Sequence, residues 1–282
     1  MPQDFHEHLH ASLLKNIMRS GPVLRGMPVY DRTFDAVRSG RNLFMKSALP
    51  ARSLQYLLPV IQTILDFGVW RRRRKVKADD QLPFRPSTLL VLCPTLGGAQ
   101  HVLTMGTRLI GGHDAGVDMM VLSDPTAKQM NAFRIRGPNI LMSTPECILQ
   151  WLALPHAKIP LNEALQDVQT LVIDGLASSL RQEEFLELLK EVMKDLPLHK
   201  KTQRVIISDD HDPQLDERLT SLVLHGGNEL VQEPRLEEIM EMKRAQDKKR
   251  QQREKSRRGA KRGKGRRSRP KKRGVGKANE RF

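Results

Sequence analysis

Thr88-Leu89-Leu90-Val91-Leu92-Cys93 is a short apolar run in which polar and apolar residues do not alternate. A strand with one wet face alternates with a period of two. A strand covered by helices on both sides is apolar throughout, as in parallel sheets. Leu171-Val172-Ile173 has the same character, and residues 42–46, 117–122, 139–143, 168–173, 203–208 and 229–232 also suit strands. Helical spacing occupies the intervals at 54–67, 99–110, 145–154 and 182–195. The last carries a stripe of Phe185, Leu186, Leu188, Leu189, Val192 and Met193. Alternation of strand and helix at this length predicts a doubly wound α/β domain with a mostly parallel sheet. No internal repeat is present.

Charge divides the chain differently. The 282 residues hold 48 Lys+Arg and 32 Asp+Glu, a net +16, but residues 241–282 alone hold 20 basic and 4 acidic side chains. The remaining 240 residues hold 28 of each, so a neutral body carries a cationic tail. Pro234 is a favourable first helical residue, and the charged stretch after it predicts a helix over 233–256. Residues 257–282 are Lys, Arg, Gly, Ser and Pro with almost no apolar side chains, which predicts disorder in isolation. The expected organisation is an N-terminal helical segment at 1–25, the α/β domain at 26–232, the charged helix and the tail.

Several classes are excluded. No uninterrupted apolar stretch approaches the roughly 20 residues of a membrane helix, and the first residues lack a secretory apolar core. The two cysteines, Cys93 and Cys147, give neither a disulfide framework nor a four-ligand zinc set. His6, His8 and His10 are not at metal-ligand spacing, so no metal is expected.

Taken in order, these pieces resemble the first RecA-like domain of the DEAD-box RNA helicases. Gly40-Arg41-Asn42-Leu43 is similar to the Gly-Arg-Asp-Leu that leads into that family's first strand. Leu57-Leu58-Pro59-Val60 matches the helix after the phosphate loop, and Pro94-Thr95 with Ala99 resembles Pro-Thr-Arg-Glu-Leu-Ala. Ser143-Thr144-Pro145 matches the Thr-Pro-Gly-Arg region, Leu171-Val172-Ile173-Asp174 the strand ending in Asp-Glu-Ala-Asp, and Ile206-Ile207-Ser208 the strand into Ser-Ala-Thr. The resemblance implies a RecA-like fold, an ATP site and RNA as partner.

The departures fall on the chemistry. A phosphate loop uses glycines so that backbone N–H groups wrap the phosphates, with a Lys and a Ser/Thr for phosphate and magnesium. Here the stretch is Ser47-Ala48-Leu49-Pro50-Ala51-Arg52-Ser53, without glycine, and Pro50 removes a donor. Arg52 and Ser53 stand as remnants of the Lys-Thr pair. Asp174 keeps the first carboxylate of the acidic motif, but Gly175 replaces the acid that orients the attacking water. Ser208-Asp209-Asp210 replaces Ser-Ala-Thr, and Tyr30 stands where the resemblance places an adenine-reading Gln. About 50 residues follow the domain, too few for a second RecA-like domain. The expectation drawn from these residues is a non-catalytic RNA-binding module, with no catalytic residue and no cofactor, in which Asp174 is dispensable. The alternative is a diverged RNA-dependent ATPase working with a separate second RecA-like domain.

RNA contact is expected through charge. Arg71, Arg72, Arg73, Arg74, Lys75 and Lys77 form one run. Arg257, Arg258, Lys261, Arg262, Lys264, Arg266, Arg267, Arg269, Lys271, Lys272 and Arg273 form the other. A flexible polycation follows a phosphate backbone, and with no aromatic before Phe282 the tail reads charge and shape rather than bases. Thr95 and Thr144 are weaker candidates, because Leu96 and Glu146 stand where the family has groups favourable to phosphate. The partners expected are RNA, in particular rRNA, and the proteins of a large ribonucleoprotein, as for a ribosome assembly factor. The expected compartment is the nucleolus, with the mitochondrial matrix as alternative.

Overall fold

The computed structural model describes residues 9–19, 31–47, 52–66, 87–111, 117–155, 161–176, 182–208, 213–224 and 229–232. The basic run at 71–77, the charged helix expected at 233–256, the tail, Tyr30, residues 48–51 and Asp209-Asp210 lie outside them.

All seven expected strands form: β1 (Leu43–Lys46), β2 (Leu89–Leu92), β3 (Met119–Val121), β4 (Ile140–Ser143), β5 (Thr170–Leu176), β6 (Gln203–Ser208) and β7 (Glu229–Gln232). They make one sheet in the order β3-β4-β2-β5-β6-β1-β7, and every pairing in it is parallel. The helices are α1 (Ala11–Arg19), α2 (Asp31–Arg38), α3 (Leu54–Asp66), α4 (Leu96–Ile110), α5 (Ala127–Arg136), α6 (Pro145–Leu152), α7 (Leu161–Gln166), α8 (Gln182–Asp195) and α9 (Pro213–Val223).

The continuous apolar strands are explained by what covers them. Leu89 and Val91 pack into one core with Leu13, Phe34, Leu57 and Val102, from α1 to α4. Leu90 and Leu92 pack into the other with Phe133, Ile148, Leu189 and Leu219, from α5 to α9. Each fully buried aliphatic side chain contributes about 1.5–3 kcal/mol, so neither face is left to water. Chain direction and face agree. The connections from β1 to β3 run one way across the sheet under α3 and α4, and those from β3 onward return across the other face. A right-handed crossover demands that correlation. The reversal leaves a crevice at the carboxyl ends of the strands, the usual ligand position in open α/β sheets.

Two expectations need correction. Helix α4 begins at Leu96 rather than at residue 99, because the Thr95 hydroxyl accepts from the Gly98 N–H at 3.1 Å and starts the first turn. Gly97 and Gly98 therefore lie in the first turn of α4. Helix α6 stops at Leu152 rather than at residue 154. The helices α2, α5, α7 and α9 had no counterpart in the sequence reading.

Candidate functional site

The crevice gathers the ends of β1, β5 and β6. Ser47 follows β1, and its N–H donates to the Ser208 carbonyl at the end of β6, 2.8 Å away. Lys46, the last residue of β1, pairs with Asp216 in the first turn of α9. Two residues before α3 stands Arg52, and its Nε donates to Asp174 Oδ1 on β5 at 2.9 Å. The second carboxylate oxygen is held from the α3 side. Tyr56 Oη donates to Asp174 Oδ2 at 2.7 Å. Asp174 is 4% exposed and Tyr56 is fully buried, so the carboxylate is bound on both oxygens in a nearly dry setting. Charge-assisted bonds of this kind are about twice as strong as neutral ones.

Just beyond Asp174 the ladder slips. Asp174 is opposite Ile207 and Leu176 is opposite Ser208, so Gly175 is the extra residue of a bulge, at φ 94°. An L side chain rarely takes that φ, which accounts for glycine here.

The buried phenol and thiol respond to the same carboxylate. Burial pushes Tyr56 well above the ordinary tyrosine value, with the charges of Asp174 and Cys93 and the bond to Asp174 adding and Arg52 opposing. Cys93 is raised chiefly by burial and then by Asp174, again against Arg52. For Tyr56 the sign is plain. The unfolded chain releases the phenol proton above about pH 10 while the folded chain keeps it. Its contribution is complete below about pH 10 and is lost as the pH rises further. Urea midpoints between pH 8 and 11 are expected to fall above pH 10 in the wild type and to fall less in Tyr56→Phe. Equal slopes in the two proteins would contradict this.

Of the anticipated site residues, Arg52 and Asp174 are in contact here, and Ser53 is next to Arg52 in the chain. Tyr56 was not anticipated, since a tyrosine among Leu57, Leu58 and Val60 reads as core. A signal did exist: the chain has only two tyrosines, and one sits a turn after Arg52-Ser53. Thr95 and Thr144 are helix caps. The Thr144 hydroxyl accepts from the Cys147 N–H at 3.3 Å, with Glu146 exposed in the same turn. Ser53 is 1% exposed, and its hydroxyl has no hydrogen-bond partner among the described residues.

A family model described as DEAD/DEAH box helicase matches residues 32–208, more than half of the chain. The chain belongs to the DEAD/DEAH box helicase family. The ATP-dependent RNA helicase DBP9 of Candida glabrata is similar to it, 29% identical over 178 residues, 61% of this chain and 27% of that protein. DBP9 of Vanderwaltozyma polyspora is 27% identical over 176 residues, again 61% of this chain and 28% of that protein. The chain thus spans little more than a quarter of these relatives. Among solved structures, the DEAD-box helicase Mss116 bound to ssRNA and UDP-BeF superposes with a TM-score of 0.61 at 17% identity, covering 79% of this chain and 43% of that one. A DEAD box protein from Methanococcus jannaschii gives 0.57 at 14% identity, covering 79% and 54%. These structures establish the RecA-like fold.

The expectation of a non-enzyme is overturned. The relatives that match this DEAD-box domain are named ATP-dependent helicases. Leu49, Pro50 and Ala51 lie outside the described residues. What is described is a cation and a buried carboxylate held together at the carboxyl end of the sheet.

Proposed function

We propose that this chain is the nucleotide-binding RecA-like domain of an ATP-dependent RNA helicase or RNA-dependent ATPase, completed by a separate second RecA-like domain. The observation that carries the reading is the Arg52–Asp174 pair at the carboxyl end of the sheet. Arg52 follows residues 48–51, where a phosphate-binding cation belongs in this family, and its guanidinium suits phosphate oxygens. Magnesium needs only one or two protein oxygens and completes its shell with water and phosphate. The buried Ser53 hydroxyl, without a partner among the described residues, and the Asp174 carboxylate fit that need. The metal would neutralise charge developing on the phosphates. Gly175 has no side chain to orient water, so that task falls to other groups, including those of the second domain.

RNA binding in this reading rests on the basic segments. Arg71, Arg72, Arg73, Arg74, Lys75 and Lys77 and the tail from Arg257 to Arg273 would follow phosphates, and the substrate would be rRNA within an assembling ribonucleoprotein. Polycations of this kind also serve as nuclear addresses, which favours the nucleolus.

Calorimetric titration with magnesium and ATP tests the site. A micromolar Kd, about −8 kcal/mol, is expected. With RNA and a second RecA-like domain added, hydrolysis should rise. Absence of binding at millimolar ATP would overturn the reading.

A further inference from the structure

Asp174 has a partner on each oxygen, and the way Arg52 reaches it is set by the residue that follows. A Cβ placed on Gly175 would lie 2.7 Å from Arg52 Nη2 and 3.7 Å from its Cζ, with Pro94 Cδ next at 3.9 Å. The guanidinium therefore lies over the bare backbone of the bulge, in the volume that any side chain at 175 would claim. The two departures from the family pattern, arginine for lysine and glycine for the acid, occupy one space.

We propose that Gly175 is a positioning residue of the nucleotide site: its missing side chain makes the room through which the Arg52 guanidinium reaches Asp174 and faces the triphosphate of a bound nucleotide. The inference rests on the reading of Arg52 as the phosphate-binding cation. A guanidinium is planar and broad, whereas an ammonium is a compact point charge on a thinner stem. Arginine at 52 thus needs clearance at 175 that lysine does not. Nε is bonded to Asp174 and Nη2 lies beside Gly175, near the carboxyl end of β5, the end at which ligands reach such sheets. Tyr56 contributes by holding Oδ2, so the carboxylate keeps its orientation while the guanidinium is shared with phosphate.

A methyl group at 175 has two separable effects. The positive φ makes alanine there costly in stability, whatever surrounds it. The clash with Arg52 involves the far end of a flexible side chain, so the guanidinium moves and the backbone stays. The first effect appears in Tm and the second in nucleotide binding.

The test is a double-mutant cycle on the full chain, titrated with magnesium and ATP, with Tm and far-UV circular dichroism recorded on each protein. Gly175→Ala and Arg52→Ala are each expected to weaken binding about tenfold or more, and the double variant to bind no more weakly than Arg52→Ala alone, since the guanidinium has already been displaced. Gly175→Ala binding within twofold of wild type, or losses that multiply, overturns the proposal. Should Gly175→Ala not fold, Arg52→Lys decides: it retains the charge without the width, and about tenfold weaker binding is expected, while wild-type affinity overturns the matched pair. A wild-type chain that binds no ATP brings down both this inference and the nucleotide reading. A wild type that binds while Gly175→Ala is unaffected removes this inference alone.

Discussion

Removal of residues 241–282 is expected to abolish most of the affinity for RNA and to leave a neutral, folded body. The segment carries 20 of the 48 basic side chains and only 4 acidic ones, so its loss removes the entire net charge of +16. Binding by a polycation is driven by release of counterions from the phosphate backbone. If about 6–10 of its cations engage at once, affinity for duplex-like sites falls by roughly 10³–10⁵ between 50 and 200 mM salt. The truncated chain should show a far shallower salt slope, the remainder coming from Arg71, Arg72, Arg73, Arg74, Lys75 and Lys77. Scrambling the tail while keeping its composition should change little, because no register is read. Filter binding or fluorescence anisotropy across a salt series measures all three. If the truncated body keeps its affinity and Thr144→Ala weakens it more than loss of a tail arginine pair, the RecA-like body holds the RNA and this account of the tail is wrong.

The second large effect is expected at Asp174. Replacement by alanine leaves the Tyr56 hydroxyl buried without its acceptor and the Arg52 guanidinium without its counter-charge. Breaking a buried ion pair from one side costs about 3–5 kcal/mol. The low end applies, because Arg52 is a quarter exposed and can turn toward water. Asp174→Asn, of the same shape, separates folding from chemistry. It keeps an acceptor for Tyr56 and loses the charge for metal and cation. RNA-stimulated hydrolysis is expected to fall by about 10²-fold or more in both variants, the scale of losing one electrostatic contact to a developing charge. Thermal unfolding should show the larger stability loss only in the alanine variant. Full hydrolysis by a folded Asp174→Asn would remove Asp174 from the chemistry. The same pair of variants decides between this outcome and the dispensability of Asp174 expected of a non-catalytic module.

The sheet was legible and part of the helical layer was not, for a physical reason. Residues 89–93 and 170–173 are buried on two faces, so their composition alone states what surrounds them. A helix becomes visible only through its buried stripe. Helix α5 buries only Phe133 among its described side chains and leaves Ile135 70% exposed, and α7 spans just 6 residues. Helix α2 is mostly polar, although Phe34, Ala36 and Val37 are buried. At the site, the residue types at 52, 53 and 174 could be named from their order along the chain. Their mutual geometry could not. The bond from Tyr56 joins residues 118 apart in sequence, and the bulge at Gly175 shows only in the pairing register. Gly175 reads from the sequence as a missing acid, whereas the space beside it that Arg52 fills is visible only in three dimensions.

The position of β1 in the sheet also governs how the chain is made. Both neighbours of β1, at residues 203–208 and 229–232, lie some 160 residues or more downstream. During synthesis at about 5–20 residues per second, β1 therefore waits roughly ten seconds or longer with both edges bare. The inner strands β2, β4 and β5 meet over shorter separations and can assemble first. β1 is then inserted between β6 and β7 as a late step. Pairings of such long sequence separation are slow to form and expose apolar strand to neighbouring chains meanwhile. Arg52 follows this strand by six residues, so its bond to Asp174 on β5 is among the last contacts to form.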